Sequence, residues 1–168
     1  MSERGQIEPA SEFGLELTRL AQDAERIVEI GSWLGEGSTA ALSKGLVHPF
    51  QRMWSVDQDA QAWLAASRFH EDERIRFIKD RTVNVLEELP EKIDLILFDG
   101  GDESTDGEFD LLYSRCQKYI ALDDINERKN RRQFAALKVL RPMIRECHHD
   151  RNGWAIFGPF QDSFTNSP

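Results

Sequence analysis

Residues 26–42 read RIVEIGSWLGEGSTAAL, a short apolar run that ends in glycine and passes at once into a helix-forming stretch. Glycine is needed where a strand turns sharply into a helix and where backbone must lie against a ligand, and Gly31, Gly35 and Gly37 stand at that junction. A pocket is implied, and the spacing limits what it holds. The dinucleotide fingerprint asks for glycine two and five residues after Gly31, where this chain has Trp33 and Glu36; no Gly-Lys-Ser/Thr triplet exists for a phosphate loop. The alternative is a glycine-rich turn without a ligand, which would carry a backbone-entropy cost to no purpose.

Outward from this junction, strands and helices alternate. Phe13, Leu17, Leu20 and Ala24 give residues 12–24 the periodicity of an amphipathic helix ahead of the strand 26–30. Strand-like runs recur at 52–56, 74–78, 93–98 and 119–122, and helical stretches are expected at 36–46, 59–69, 83–89, 108–117 and 127–140. Runs such as IDLILF (93–98) are continuously apolar, as strands covered by helices on both faces must be. Residues 143–149 and 154–160 flank DRNG, whose Asn152-Gly153 pair predicts a tight hairpin with positive φ angles. The expected fold is α/β: a doubly wound, Rossmann-like seven-stranded sheet, mostly parallel, ending in an antiparallel hairpin. Residues 1–168 are read as a single domain.

Composition narrows the function classes. A formal charge of -9 argues against a nucleic-acid partner, because the long-range field repels phosphate backbones. With no long apolar run and no leader pattern, the expectation is a cytoplasmic protein without a membrane partner. Cys116 and Cys147 are too few for a disulfide framework and read as ordinary thiols.

Acidic residues close the strands. Asp57 stands 26 residues beyond Gly31 at the tip of the second strand, where a carboxylate can accept two hydrogen bonds from a ribose diol or cap the next helix. Asp99, Asp123 and Asp124 end the fourth and fifth strands and should converge, which calls for a cation, a proton or a basic partner. Carboxylate oxygens suit Mg2+ or Mn2+ better than zinc. The competing expectation is that Asp123 and Asp124 cap the following helix and pair with Arg128 or Arg131. The basic segment ERKNRRQF (127–134) reads as a solvated helix start, and His148 and His149 as alternating strand residues without metal-ligand spacing.

Glu29, Gly31, Gly35 and Ser38 together resemble the glycine loop of class I S-adenosylmethionine-dependent methyltransferases, especially small-molecule O-methyltransferases and their cephalosporin-hydroxylase-like relatives. The resemblance runs from about Phe13 to Phe160 and implies cofactor contacts at Glu29, Gly31, Ser32, Gly35, Ser38, Asp57, Gln58, Asp80 and Asp99. Asp80 would face the adenine amino group. Asp99, Asp123 and Asp124 resemble the metal site of the divalent-cation-dependent members, which implies attack by a metal-bound oxygen of a small-molecule acceptor on the cofactor methyl. The pattern departs after Asp99. Relatives often read Asp-Gly-Asp-His-Ser-Tyr there, whereas this chain has Asp99-Gly100-Gly101-Asp102-Glu103-Ser104, leaving Asp102 as the nearest candidate base. No lid segment is evident. A lidless domain can close its site as a homodimer, act on an exposed or macromolecular acceptor, or bind the cofactor without transferring its methyl. A nucleotide-dependent Rossmann-like enzyme is the remaining alternative.

Overall fold

The computed structural model of this protein describes residues 7–101 and 105–160. Ser11 opens helix α1 (Glu12–Gln22): its hydroxyl accepts the Gly14 N–H, satisfying one of the donors that a helix start leaves over. Phe13, Leu17 and Leu20 turn one face of α1 into the core. The chain continues through β1 (Arg26–Ile30), α2 (Ser38–Lys44), β2 (Arg52–Asp57), α3 (Ala60–Phe69), β3 (Ile75–Lys79), β4 (Ile93–Phe98), α4 (Thr105–Leu112), β5 (Cys116–Asp123), α5 (Arg128–Leu140), β6 (Met143–Cys147) and β7 (Trp154–Phe157).

The seven strands lie in the order β3-β2-β1-β4-β5-β7-β6. Strands β1 to β5 are parallel, and β7 runs antiparallel to both β5 and β6. The chain winds outward from β1 to β3, then crosses to β4 on the other side of β1. This is a topological switch point, and the carboxyl ends of β1 and β4 diverge there around a crevice. All six residues of β4 are buried. Leu95 and Leu97 enter one core layer with Leu17, Leu20 and Leu42, while Ile96 and Phe98 enter the other with Leu112 and Leu137. The doubly wound sheet and its antiparallel end are therefore as expected from sequence.

Local differences have identifiable causes. Residues 83–89 form no α-helix; a single 3-10 turn, Thr82–Asn84, stands at their start. The Asp80 carboxylate accepts from the Arg81 N–H and the Asn84 side chain, and Arg115 takes the Leu86 carbonyl, so the local polar groups find partners outside a helix. Pro90 disfavours helical backbone at Leu89. Strand β5 begins at Cys116, three residues before the expected start at 119, because Cys116 already registers with Ile93 of β4. The last hairpin is wider than expected. Its loop spans 148–153, and the positive φ angles fall on Arg151 (54°) and Gly153 (80°), which leaves out Asn152. His148 and His149 lie in that loop, beyond β6.

Candidate functional site at the carboxyl edge of the sheet

The loop after β1 is shaped by what surrounds it. Gly31 has φ 92°, and a Cβ there would stand 2.6 Å from the Asp99 carbonyl oxygen. Gly35 has φ 82°, and its Cβ would stand 2.9 Å from Ala66 Cα in α3. The two glycines thus let the loop pass between the tip of β4 and the side of α3. The first of them is demanded by protein backbone, before any ligand is considered. Trp33 also takes a left-handed conformation, φ 47°, and its ring is about half exposed.

Asp57 holds this conformation in place. Its Oδ2 accepts the backbone N–H groups of Ser32 and Trp33, each at 3.0 Å, and its Oδ1 accepts the Asp59 N–H at 2.8 Å. The cap of α3 is Asp59, which accepts from Gln61 and Ala62, so Asp57 does not have the helix-cap role weighed above. Glu29 lies beneath the loop, fully buried, and its carboxylate is met by the hydroxyls of Ser38, Thr39 and Ser55 at 2.6–2.8 Å. Burial raises its pKa to about 7 against the opposing pull of those donors.

A cavity of about 430 Å³ opens over this loop. Of the expected binding residues, Gly31, Ser32, Ser38, Asp57, Gln58, Asp80 and Asp99 line it, whereas Glu29 and Gly35 do not. Asp102, the candidate base, lies outside the described residues. Sequence reasoning missed Ile7, Thr82, Glu108 and Lys129. Thr82 and Glu108 form a buried pair at 2.7 Å. Their 26-residue separation hides them in a linear reading.

The acidic cluster forms, with its own cations. Ligand oxygens of Asp99, Asp123 and Asp124 lie within 4.8 Å of one another. Lys129 Nζ sits 2.8 Å from both Asp99 Oδ1 and Asp124 Oδ2, and Arg151 pairs with Asp123. Burial would lower the Lys129 pKa, but the two carboxylates outweigh it and hold the ammonium well above its ordinary range. Burial pushes Asp123 up, with Asp99 and Asp124 adding to the rise. The expected partners Arg128 and Arg131 are replaced by Lys129 and Arg151, and neither aspartate caps α5, whose N-cap is Glu127. The basic segment 127–134 is only partly a solvated face. Arg128, Arg131 and Arg132 are exposed, but Lys129, Asn130 and Gln133 are buried. Asn130 donates to the carbonyls of Phe98 and Asp123, tying the tips of β4 and β5 to α5. A helical projection from Leu137 through Gln133 to Lys129 was the signal available.

A family model described as a methyltransferase domain matches residues 28–125, from β1 to the turn after β5. The chain belongs to this methyltransferase family. No curated protein matches it. Among solved structures, the methyltransferase domain is similar to the O-methyltransferase TomG from Streptomyces achromogenes, in complex with SAM, at 16% identity and TM-score 0.73, covering 90% of this chain and 81% of that one. It is also similar to an O-methyltransferase from Bacillus cereus in complex with SAH (17% identity, TM-score 0.72, 95% and 86% covered). A third is an SAH-bound methyltransferase from Podospora anserina (16%, TM-score 0.66, 87% and 77%). The methyltransferase family that Glu29, Gly31, Gly35 and Ser38 resemble is thereby borne out. No described helix of the methyltransferase domain is long and apolar enough to cross a membrane.

Proposed function

We propose that the cavity binds S-adenosylmethionine and that the protein transfers its methyl group to a hydroxyl or phenol oxygen of a small-molecule acceptor. The observation that carries this reading is the convergence of the glycine loop, Asp57, Asp80 and Asp99 on one cavity at the switch point of the sheet. Ser32 and Ser38 would contact the methionine moiety, Asp57 and Gln58 the ribose, and Asp80 with Thr82 the adenine. The similar O-methyltransferase structures in complex with SAM or SAH support the choice of cofactor.

When bound, the cofactor would supply an electrophilic methyl group for transfer to an acceptor oxygen, whose proton would pass to solvent. The chain's part is to orient the two reactants, and acidic side chains around the cavity favour a cationic sulfonium. Magnesium or manganese held by Asp99, Asp123 and Asp124 fits this arrangement poorly, since an ammonium already joins two of the carboxylates and a guanidinium meets the third. No step of the proposed reaction is routed through a metal.

Calorimetry with S-adenosylhomocysteine tests the reading: saturable binding at one site per chain is expected. Absence of binding at millimolar ligand would sink it. A non-catalytic cofactor-binding module is the second reading, favoured by the departure of residues 99–104 from the pattern of relatives. It predicts the same binding but no methyl transfer from labelled cofactor to a panel of phenols and alcohols.

A further inference from the structure

A divalent ion serving the three aspartates would bridge Asp99 and Asp124, with oxygens at about 2.0–2.6 Å from the metal. Lys129 takes that position. Its Nζ bonds Asp99 Oδ1 and Asp124 Oδ2 at 2.8 Å each, and its remaining contact is the Asp99 backbone carbonyl at 3.2 Å. An ammonium has three N–H donors, and these contacts engage all of them. The backbone fixes its location: Lys129 sits in the first turn of α5, five residues after Asp124, and the adjacent Asn130 ties that turn to the carbonyls of Phe98 and Asp123. Only 9% of its side chain is exposed. Asp124 meets it from a left-handed backbone, φ 54°, and Arg151 reaches Asp123 from another left-handed residue, also φ 54°.

We infer that Lys129 is a built-in replacement for a divalent cation, so that the methyltransferase site is organised without magnesium or manganese. The inference deepens the proposed function and rests on it for the identity of the site. The physical reason is exclusion. A metal equidistant from Asp99 and Asp124 would share the space of the ammonium, and displacing Lys129 would leave a buried positive charge without partners. With Lys129 and Arg151 in place, the cluster's three negative charges are reduced to a formal -1, which weakens attraction for a further cation. The consequence for chemistry is specific. An ammonium with every N–H engaged offers no open coordination position to an acceptor oxygen, so Lys129 is a positioning residue that fixes Asp99 and Asp124 at the cavity wall.

The test is manganese binding to the full chain, followed by electron paramagnetic resonance and calorimetry, with S-adenosylhomocysteine affinity measured on the same samples. Wild type should show no saturable manganese site. Lys129→Ala should gain one ion per chain and a manganese-dependent rise in Tm, and Lys129→Ala combined with Asp124→Asn should lose both. A saturable site in wild type that Asp124→Asn removes would overturn the proposal, and so would a folded Lys129→Ala that gains no ion. If Lys129→Ala does not fold, Lys129→Gln takes its place under the same criteria, and the wild-type titration still decides whether the cluster takes a metal. The cofactor titration separates the two claims: wild type that binds neither manganese nor S-adenosylhomocysteine counts against the proposed function, while the manganese result on the lysine variant still reads on Lys129.

Discussion

Glu29 shows how a residue can belong to a family motif without lining the cavity that the motif borders. Its carboxylate is fully buried among Ser38, Thr39 and Ser55, and its pKa rises from 4.5 to about 7. A raised folded-state pKa means that the stabilising protonated form is fully present below pH 4.5 and is lost as pH climbs through about 7. Relative to Glu29→Gln, wild type should therefore lose up to roughly 3 kcal/mol of stability across that window, measured by urea unfolding at several pH values. A flat difference between the two proteins would mean that Glu29 stays ionised throughout. Asp57 carries a different load. Because it accepts two loop N–H groups, Asp57→Ala should lower Tm as well as weaken S-adenosylhomocysteine binding by about 1.5–3 kcal/mol, the range for a hydrogen bond to a charged group. Unchanged affinity in a folded variant would remove Asp57 from the ribose contacts. Asp57 was legible in the sequence as the acid closing β2, and Glu29 through the resemblance of the glycine loop. Apart from the neighbouring Asp59 N–H, their partners were not, because hydroxyls and amides recruited from 9 to 26 positions away are set by how β1, β2 and α2 come together.

Among the elements, the β1–α2 loop and α5 govern the site. The loop threads past the tip of β4, so Gly31→Val should destabilise the protein even without ligand, since a Cβ meets the Asp99 carbonyl at 2.6 Å. A Tm equal to wild type in the absence of cofactor would assign Gly31 to the ligand alone. In α5, Asn130→Ala removes two buried hydrogen bonds that join the tips of β4 and β5, and a loss of about 2 kcal/mol in chemical denaturation is expected. A change within error would show that water replaces the amide. The elements themselves were readable from periodicity where they are long or continuously apolar, as in α1 and β4. The segment 83–89 misled because its apolar residues do enter the core, with Val85 and Leu89 buried, while its backbone groups are satisfied by short-range turn bonds such as Val85 N–H to the Thr82 carbonyl and by Arg115 on the Leu86 carbonyl instead of by an α-helix. Periodicity reports burial, and burial does not require the helix.

At the scale of the whole molecule, the ends of the described chain meet across the sheet. Trp154 of β7 stacks on Phe13 of α1 with ring centres 4.9 Å apart, and Arg145 of β6 pairs with Glu12 and Glu16 of the same helix. Trp154 is 1% exposed, so Trp154→Ala should cost about 3–5 kcal/mol and shift the urea midpoint accordingly. A small shift would mean that the hairpin and α1 are held mainly by their exposed ion pairs, which usually contribute little. The sequence by itself determined the alternation of strands and helices, the parallel sheet with its antiparallel end, the glycine loop and the row of acids at the strand tips, since these follow from local pattern and from short-range turn chemistry. Only the tertiary structure decided which cation those acids meet. Lys129 reads as one charge among several in a basic helix start, and Arg151 as part of a turn. Charge pairing depends on distances of a few ångströms between side chains, and those distances are fixed by how α5 and the last hairpin dock on the sheet, which no single stretch of sequence encodes.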